Sequence, residues 1–200
     1  MPPPRTAAAQ GRRPGRSATD TRARILAAAT SEFAERGLAG GRVDRIAVAA
    51  EANKERIYAY FGSKEGLFDA SVEAIIGELL DTVPFDAVDL PGYAARLYDF
   101  TLGHPQLIRL ALWHSLERPG SIEQLPQSAD STVRKIRTLS AAQRDGLVDA
   151  SLPADRMLPL ILGLVHAGLI LAPLPTDPVE VAAQRDAVRV AVSRLVNPLG

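Results

Sequence analysis

Between Arg42 and Lys64 the chain gathers side chains that can read or grip a polyanion. Asn53, Lys54, Glu55 and Arg56 stand in a row, followed by Tyr58, Tyr60 and Lys64. Side chains of these types fit base edges and phosphates in a major groove. Glu55 is the odd member, since a carboxylate accepts from cytosine but repels phosphate. Lys64 follows Ser63 directly, so an ammonium and a helix N-terminus can hold one phosphate together. Each part also has a plainer reading. Lys54-Glu55-Arg56 alone is a common solvated helix face, and Tyr58, Tyr60 and Phe61 alone are common core residues.

The elements around these residues decide how they are presented. Ile25, Ala29 and Phe33 recur at helical spacing, so a helix from Thr19 is expected, with Gly37 as its stop. A Gly40-Gly41 turn leads to a short helix with Val43, Ile46, Ala47 and Ala50 on one face. After a short break, Ile57 and Phe61 mark another helix, closed by Gly62. Ala47 is small where two helices cross closely, and Ile46, Ala50, Ile57 and Phe61 can lock the pair. Asn53, Lys54, Glu55, Arg56 and Tyr58 then project outward, which is the shape of a helix-turn-helix. Ser63 can cap the next helix, striped by Leu67, Phe68, Val72, Ile75, Ile76 and Leu79. Pro84 and Pro91 bracket a connector, and further helices are expected at 92–103, 105–116, 129–145, 154–172 and 178–196. No segment alternates as a strand does, and no repeat is visible, so the fold class is all-α.

Charge divides the chain in the same place. The 200 residues carry no net charge, yet residues 1–64 hold 12 Lys+Arg against 6 Asp+Glu, and the remainder is acidic by the same margin. A basic front and an acidic back fit one part that meets a polyanion and one that does not. Residues 1–18, with Arg5, Arg12, Arg13 and Arg16 and no acid, read as a disordered tail that is either solvated or an arm on DNA. Met157 to Thr176 contains no charged residue. Its prolines and unanchored flanks favour a helix buried in a core or against a second subunit over a membrane span. Cysteine is absent, and no apolar run has the form of a secretory signal, so a cytoplasmic protein is expected.

The order ILAAATSEFAERG, then IAVAAEANKERIYAYFGSKEGLF, resembles the amino-terminal domain of TetR-family transcriptional repressors. The shared pattern is Ile46-Ala47, a turn, Tyr58-x-Tyr60-Phe61, then Lys64-Glu65-Gly66-Leu67. The resemblance implies a DNA-binding domain at 19–80, with Tyr58, Tyr60 and Lys64 on phosphates and residues 53–56 facing bases or phosphates. Two positions depart from the family pattern. Arg42 replaces a threonine, keeping reach to phosphate but losing hydroxyl capping. Glu51 replaces a turn glycine, so a left-handed backbone there costs about 1 kcal/mol.

The resemblance further implies that 81–200 binds a small-molecule effector and dimerises through helices 154–172 and 178–196. The implied partners are a palindromic double-stranded operator and a moderately hydrophobic ligand. Phe100, His104, Trp113 and His114 offer bulk with a polar edge and are candidates for lining a cavity, although not all four can face one pocket. His104, Ile108, Ala111 and Ser115 share one helix face, with Trp113 roughly opposite. His166 is either a satisfied buried histidine or a ligand contact. Nothing calls for a cofactor or a metal, and the motifs of nucleotide-binding, hydrolytic and zinc enzymes are missing. The reading is a homodimeric repressor relieved by ligand; the alternative is a helical protein-interaction scaffold without sequence-specific DNA binding.

Overall fold

The computed structural model describes residues 18–120, 122–171 and 174–197. The tail expected at 1–18 lies outside these residues, apart from Ala18. Nine α-helices form among the described residues, and no strand: α1 Ala18–Gly40, α2 Val43–Ala49, α3 Lys54–Phe61, α4 Lys64–Thr82, α5 Leu90–Gly103, α6 Pro105–Glu117, α7 Pro126–Arg144, α8 Ala154–Leu171 and α9 Pro178–Val196. A 3-10 turn at Ile122–Gln124, which the spacing did not announce, joins α6 to α7.

The helix starts follow local chemistry. Asn53, Ser63, Asp89 and Asp177 each accept a backbone N–H as N-caps of α3, α4, α5 and α9. Pro105, Pro126 and Pro178 open their helices, where the missing N–H has no intrahelical partner to lose. This is why α7 begins three residues before the expected 129.

One expected boundary moves for a tertiary reason. Gly37 does not end α1 but kinks it, at φ 68° and ψ −176°, and the helix resumes to Gly40. The resumed turn is capped from outside. Glu117, at the end of α6, accepts from the N–H groups of Leu38 at 2.6 Å and Ala39 at 3.1 Å.

The front core joins Ile25, Phe33, Ile46, Ile57, Leu67 and Phe68, all without solvent exposure. Burying each such side chain contributes about 1.5–3 kcal/mol. Phe33 and Phe68 meet edge to face at 5.1 Å between centroids, fastening α1 to α4. Behind them, α1 also packs on α6, and α5 on α8 and α9. No helix among the described residues is long and apolar enough to cross a membrane. Beyond Asp155 and Arg156 in its first turn, α8 is uncharged, and it is buried on one side only, through Met157, Ile161 and Val165. Leu160, Gly163, Ala167 and Ile170 lie open on the other.

Candidate nucleic-acid interface and regulatory cavity

The turn between α2 and α3 is built by hydrogen bonding that a glycine would ordinarily serve. Ala52 N–H donates to Ala47 O at 2.9 Å and Glu51 N–H to Val48 O at 3.1 Å, the paired bonds of a Schellman C-cap. Glu51 occupies the left-handed position at φ 47°, as its replacement of a turn glycine implied. Its carboxylate lies 3.5 Å from the Arg24 guanidinium on α1. Buried Ile46, Ala47 and Ala50 then seat Ile57, so α3 lies with its other side to solvent.

That open side carries the residues singled out above. Asn53, Lys54, Glu55, Arg56, Tyr58 and Tyr60 are all exposed. Asn53 has a structural duty as well, its Oδ1 accepting from Arg56 N–H at 2.9 Å. Lys54 pairs with Asp44 of α2, and that hydrogen bond raises its pKa. Arg42 is exposed and caps nothing with its side chain. Its backbone N–H instead donates to Glu32 Oε1 at 2.9 Å. Glu32 also binds Arg45, whose hydrogen bond holds the carboxyl below the usual range. This α1–α2 clamp has no signature in the sequence, because its members are set by folding rather than spacing.

Lys64 is the first residue of α4, and its Nζ donates to Ala39 O at 3.3 Å. It therefore stands at the α4 N-terminus beside the end of α1. Gly66 is required just inside that helix, because a Cβ there would collide with Phe61 O.

On the back of α4 lies a junction of polar groups drawn from segments with no common motif in the sequence. Arg118 pairs with Asp69 of α4. Fully buried His114 stacks on Phe68 at 5.4 Å and places Nε2 3.3 Å from Asp69 Oδ1. Trp113 packs against Gly37, where a Cβ would stand 2.8 Å from the indole ring.

A cavity of about 350 Å³ lies among α4, α5, α6, α7 and α8. Ile108, Ala111, Leu112 and Ser115 present one face of α6 to it. Of the five expected lining residues, His166 does line it. Phe100, His104, Trp113 and His114 do not. Phe100 is buried with His104 stacked on it at 4.0 Å, and His104 Nε2 turns to Glu78 at 3.3 Å. Trp113 and His114 occupy the opposite side of α6, toward α1 and α4. Helical periodicity identifies which residues share a face, but not which neighbour that face meets. Tyr93, Ser131 and Lys135 line the cavity and carry no sequence signal for it. A roomier depression of about 550 Å³, edged by Thr30, Glu35, Gln106 and Arg109, follows the α1–α6 junction rather than the bundle interior.

A helix-turn-helix with an exposed polar second helix, joined to a larger cavity-bearing helical bundle, defines a DNA-binding transcriptional regulator. Residues 25–71 match the family described as bacterial regulatory proteins, tetR family, and residues 89–197 match the tetracyclin repressor-like C-terminal domain. The chain belongs to the TetR family of transcriptional regulators. It is 35% identical over 185 residues to the HTH-type transcriptional repressor SCO4008 of Streptomyces coelicolor, covering 88% of this chain and 95% of that one. Over 105 residues it is 33% identical to the HTH-type transcriptional repressor NicS of Pseudomonas putida, covering about half of each chain (49% and 50%). The crystal structure of SCO4942, a candidate transcriptional regulator of Streptomyces coelicolor, superposes with a TM-score of 0.76 at 38% identity, covering 90% of this chain and 99% of that one. These relatives are regulators rather than enzymes.

Proposed function

We propose that this regulator is a homodimeric repressor, relieved by a small molecule, that acts on a palindromic operator in the cytoplasm. Residues 1–18 form a tail in this reading, 19–80 the DNA-binding domain and 81–200 the ligand-binding and dimerisation domain. The observation that carries it is the exposed row of Asn53, Lys54, Glu55, Arg56, Tyr58 and Tyr60 on and beside α3, a helix seated through buried Ile57. Arg56 and Asn53 face base edges, Glu55 accepts from cytosine, and Arg42, Lys54, Tyr58, Tyr60 and Lys64 meet phosphates.

Dimerisation is supported by the open apolar side of α8, where Leu160 is 48% and Ile170 43% exposed. A contiguous exposed face of this kind marks an interface, here completed by α9 of each protomer. Pairing would set two α3 helices about 34–36 Å apart, one turn of duplex. A moderately hydrophobic effector in the cavity bears on α6, whose far side holds α1 and α4. It releases DNA only by binding the free form more tightly than the DNA-bound form.

Titration onto a labelled duplex of the upstream intergenic region, with random duplex as competitor and at several salt concentrations, tests the core of this reading. The expected result is saturable, competitor-resistant binding at two protomers per site with a steep salt dependence. Equal loss on both duplexes would reduce the interface to nonspecific basic contact. No binding at low salt would favour the helical scaffold.

A further inference from the structure

The lining of the cavity is sorted by chemistry. Ser128, Ser131, Thr132 and Lys135 follow one another at helical spacing on α7, so a single polar stripe faces it. The walls from α4, α5 and α6 are mostly apolar, including Ile76, Leu79, Leu97 and Ile108. Lys135 supplies the only charge among the described lining residues, and none of them carries a carboxylate. Its Nζ sits 5.7 Å over the ring of Tyr93 and, among the described residues, has no acidic partner within ion-pair distance. Burial pushes this ammonium below the ordinary lysine value. His166 lines the cavity from α8, and its buried Nε2 has no hydrogen-bond partner among the described residues.

We infer that the cavity takes an anionic amphiphile, a carboxylate on an apolar body, whose head meets Lys135 and the α7 hydroxyls. The inference rests on the reading of this cavity as the effector site and names the chemistry of the effector. A half-buried ammonium facing apolar walls without a counter-ion is costly, and an incoming anion supplies what is missing. Ser131 and Thr132 donate hydroxyl protons to the same oxygens, and the ligand body displaces water from the apolar walls. At roughly 30 Å³ per water-sized group, the cavity holds about a dozen non-hydrogen atoms. A cation would face Lys135 across a low-dielectric space, and a neutral head would leave it uncompensated.

Decanoate, decanamide and decylamine match this size and differ at the head. Calorimetric binding of each to the full-length protein tests the inference. Decanoate should bind about tenfold more tightly than decanamide, with decylamine weakest. Lys135→Met should abolish the preference while leaving decanamide binding unchanged, which also reports that the cavity is intact. Lys135→Arg should restore it. Equal binding of all three to the wild-type protein, or a preference for decylamine, would overturn the anion inference and leave the effector reading standing. Failure of all three to bind at millimolar concentration would overturn both. The wild-type comparison decides the matter even if the variants fail to fold.

Discussion

The carboxylate of Glu117 accepts from the backbone N–H of Leu38 at 2.6 Å, across 79 residues of sequence. The same carboxylate takes the N–H of Ala39, so the end of α6 caps the turn that α1 resumes beyond its kink. Glu117→Ala should lower stability by about 1–3 kcal/mol, because the part-buried Leu38 N–H loses its acceptor along with the exposed N–H of Ala39. Glu117→Gln keeps a carbonyl oxygen there and should lose less. Urea unfolding of the three proteins checks the order; equal stabilities would mean that water replaces the carboxylate at no cost.

Gly37 makes that geometry possible. A Cβ there would meet Glu117 Oε1 at 2.7 Å, and the residue holds φ 68°. Gly37→Ala is expected to destabilise by about 1–3 kcal/mol through strain and crowding against Trp113. A thermal melt within experimental error of the wild type would contradict the kink.

Glu51 presents the converse case, a side chain where glycine is favoured. Glu51→Gly should raise stability by up to about 1 kcal/mol, the relief of left-handed strain exceeding the loss of an exposed ion pair to Arg24. A lower melting temperature in this variant would show that the Arg24 contact matters more than the backbone.

The interface residues should separate by role in DNA titrations. Arg56→Ala is expected to narrow the difference between operator and random duplex by about 1–3 kcal/mol. Lys64→Ala should weaken binding to every sequence and reduce the salt slope by about one ion. An unchanged slope for Lys64→Ala would remove that residue from the phosphate contacts.

His166 gives the fold an acid dependence. Burial lowers its pKa to about 4 from the ordinary 6.5, so the unfolded chain binds the proton first as pH falls. Its contribution is complete above the unfolded value and is lost downward toward the folded one, which amounts to about 2 kcal/mol between pH 7 and 5. Urea midpoints measured across this range should fall less for His166→Gln than for the wild type. Parallel curves would mean that the imidazole reaches water.

Much of this architecture is legible in the sequence. The spacing of Ile25, Ala29 and Phe33, and of Ile46, Ala50 and Ile57, specifies helices because burial of one face requires it. The order of Tyr58, Tyr60, Phe61 and Lys64 carries the family resemblance, and the replacement of a turn glycine by Glu51 anticipates its positive φ. What escaped was pairing between distant segments. Nothing near Glu117 announces Leu38, and nothing near Asp69 announces Arg118. The size and polarity of the aromatic residues in the back half fit a cavity wall and a helix junction equally well. His114 went to the junction because Phe68 and Asp69 await it there, whereas small Ala111 and Ser115 were left facing the cavity.

That division gives α6 a mechanical character. Its 13 residues form a rod about 20 Å long, carrying the cavity on one flank and the Gly37 and Asp69 attachments on the other. Both flanks share one backbone, so a twist about the rod's axis moves them in opposite directions at once. Enlarging the cavity by rolling this helix necessarily drags on the attachments to α1 and α4, with no intermediary chain of contacts between the two.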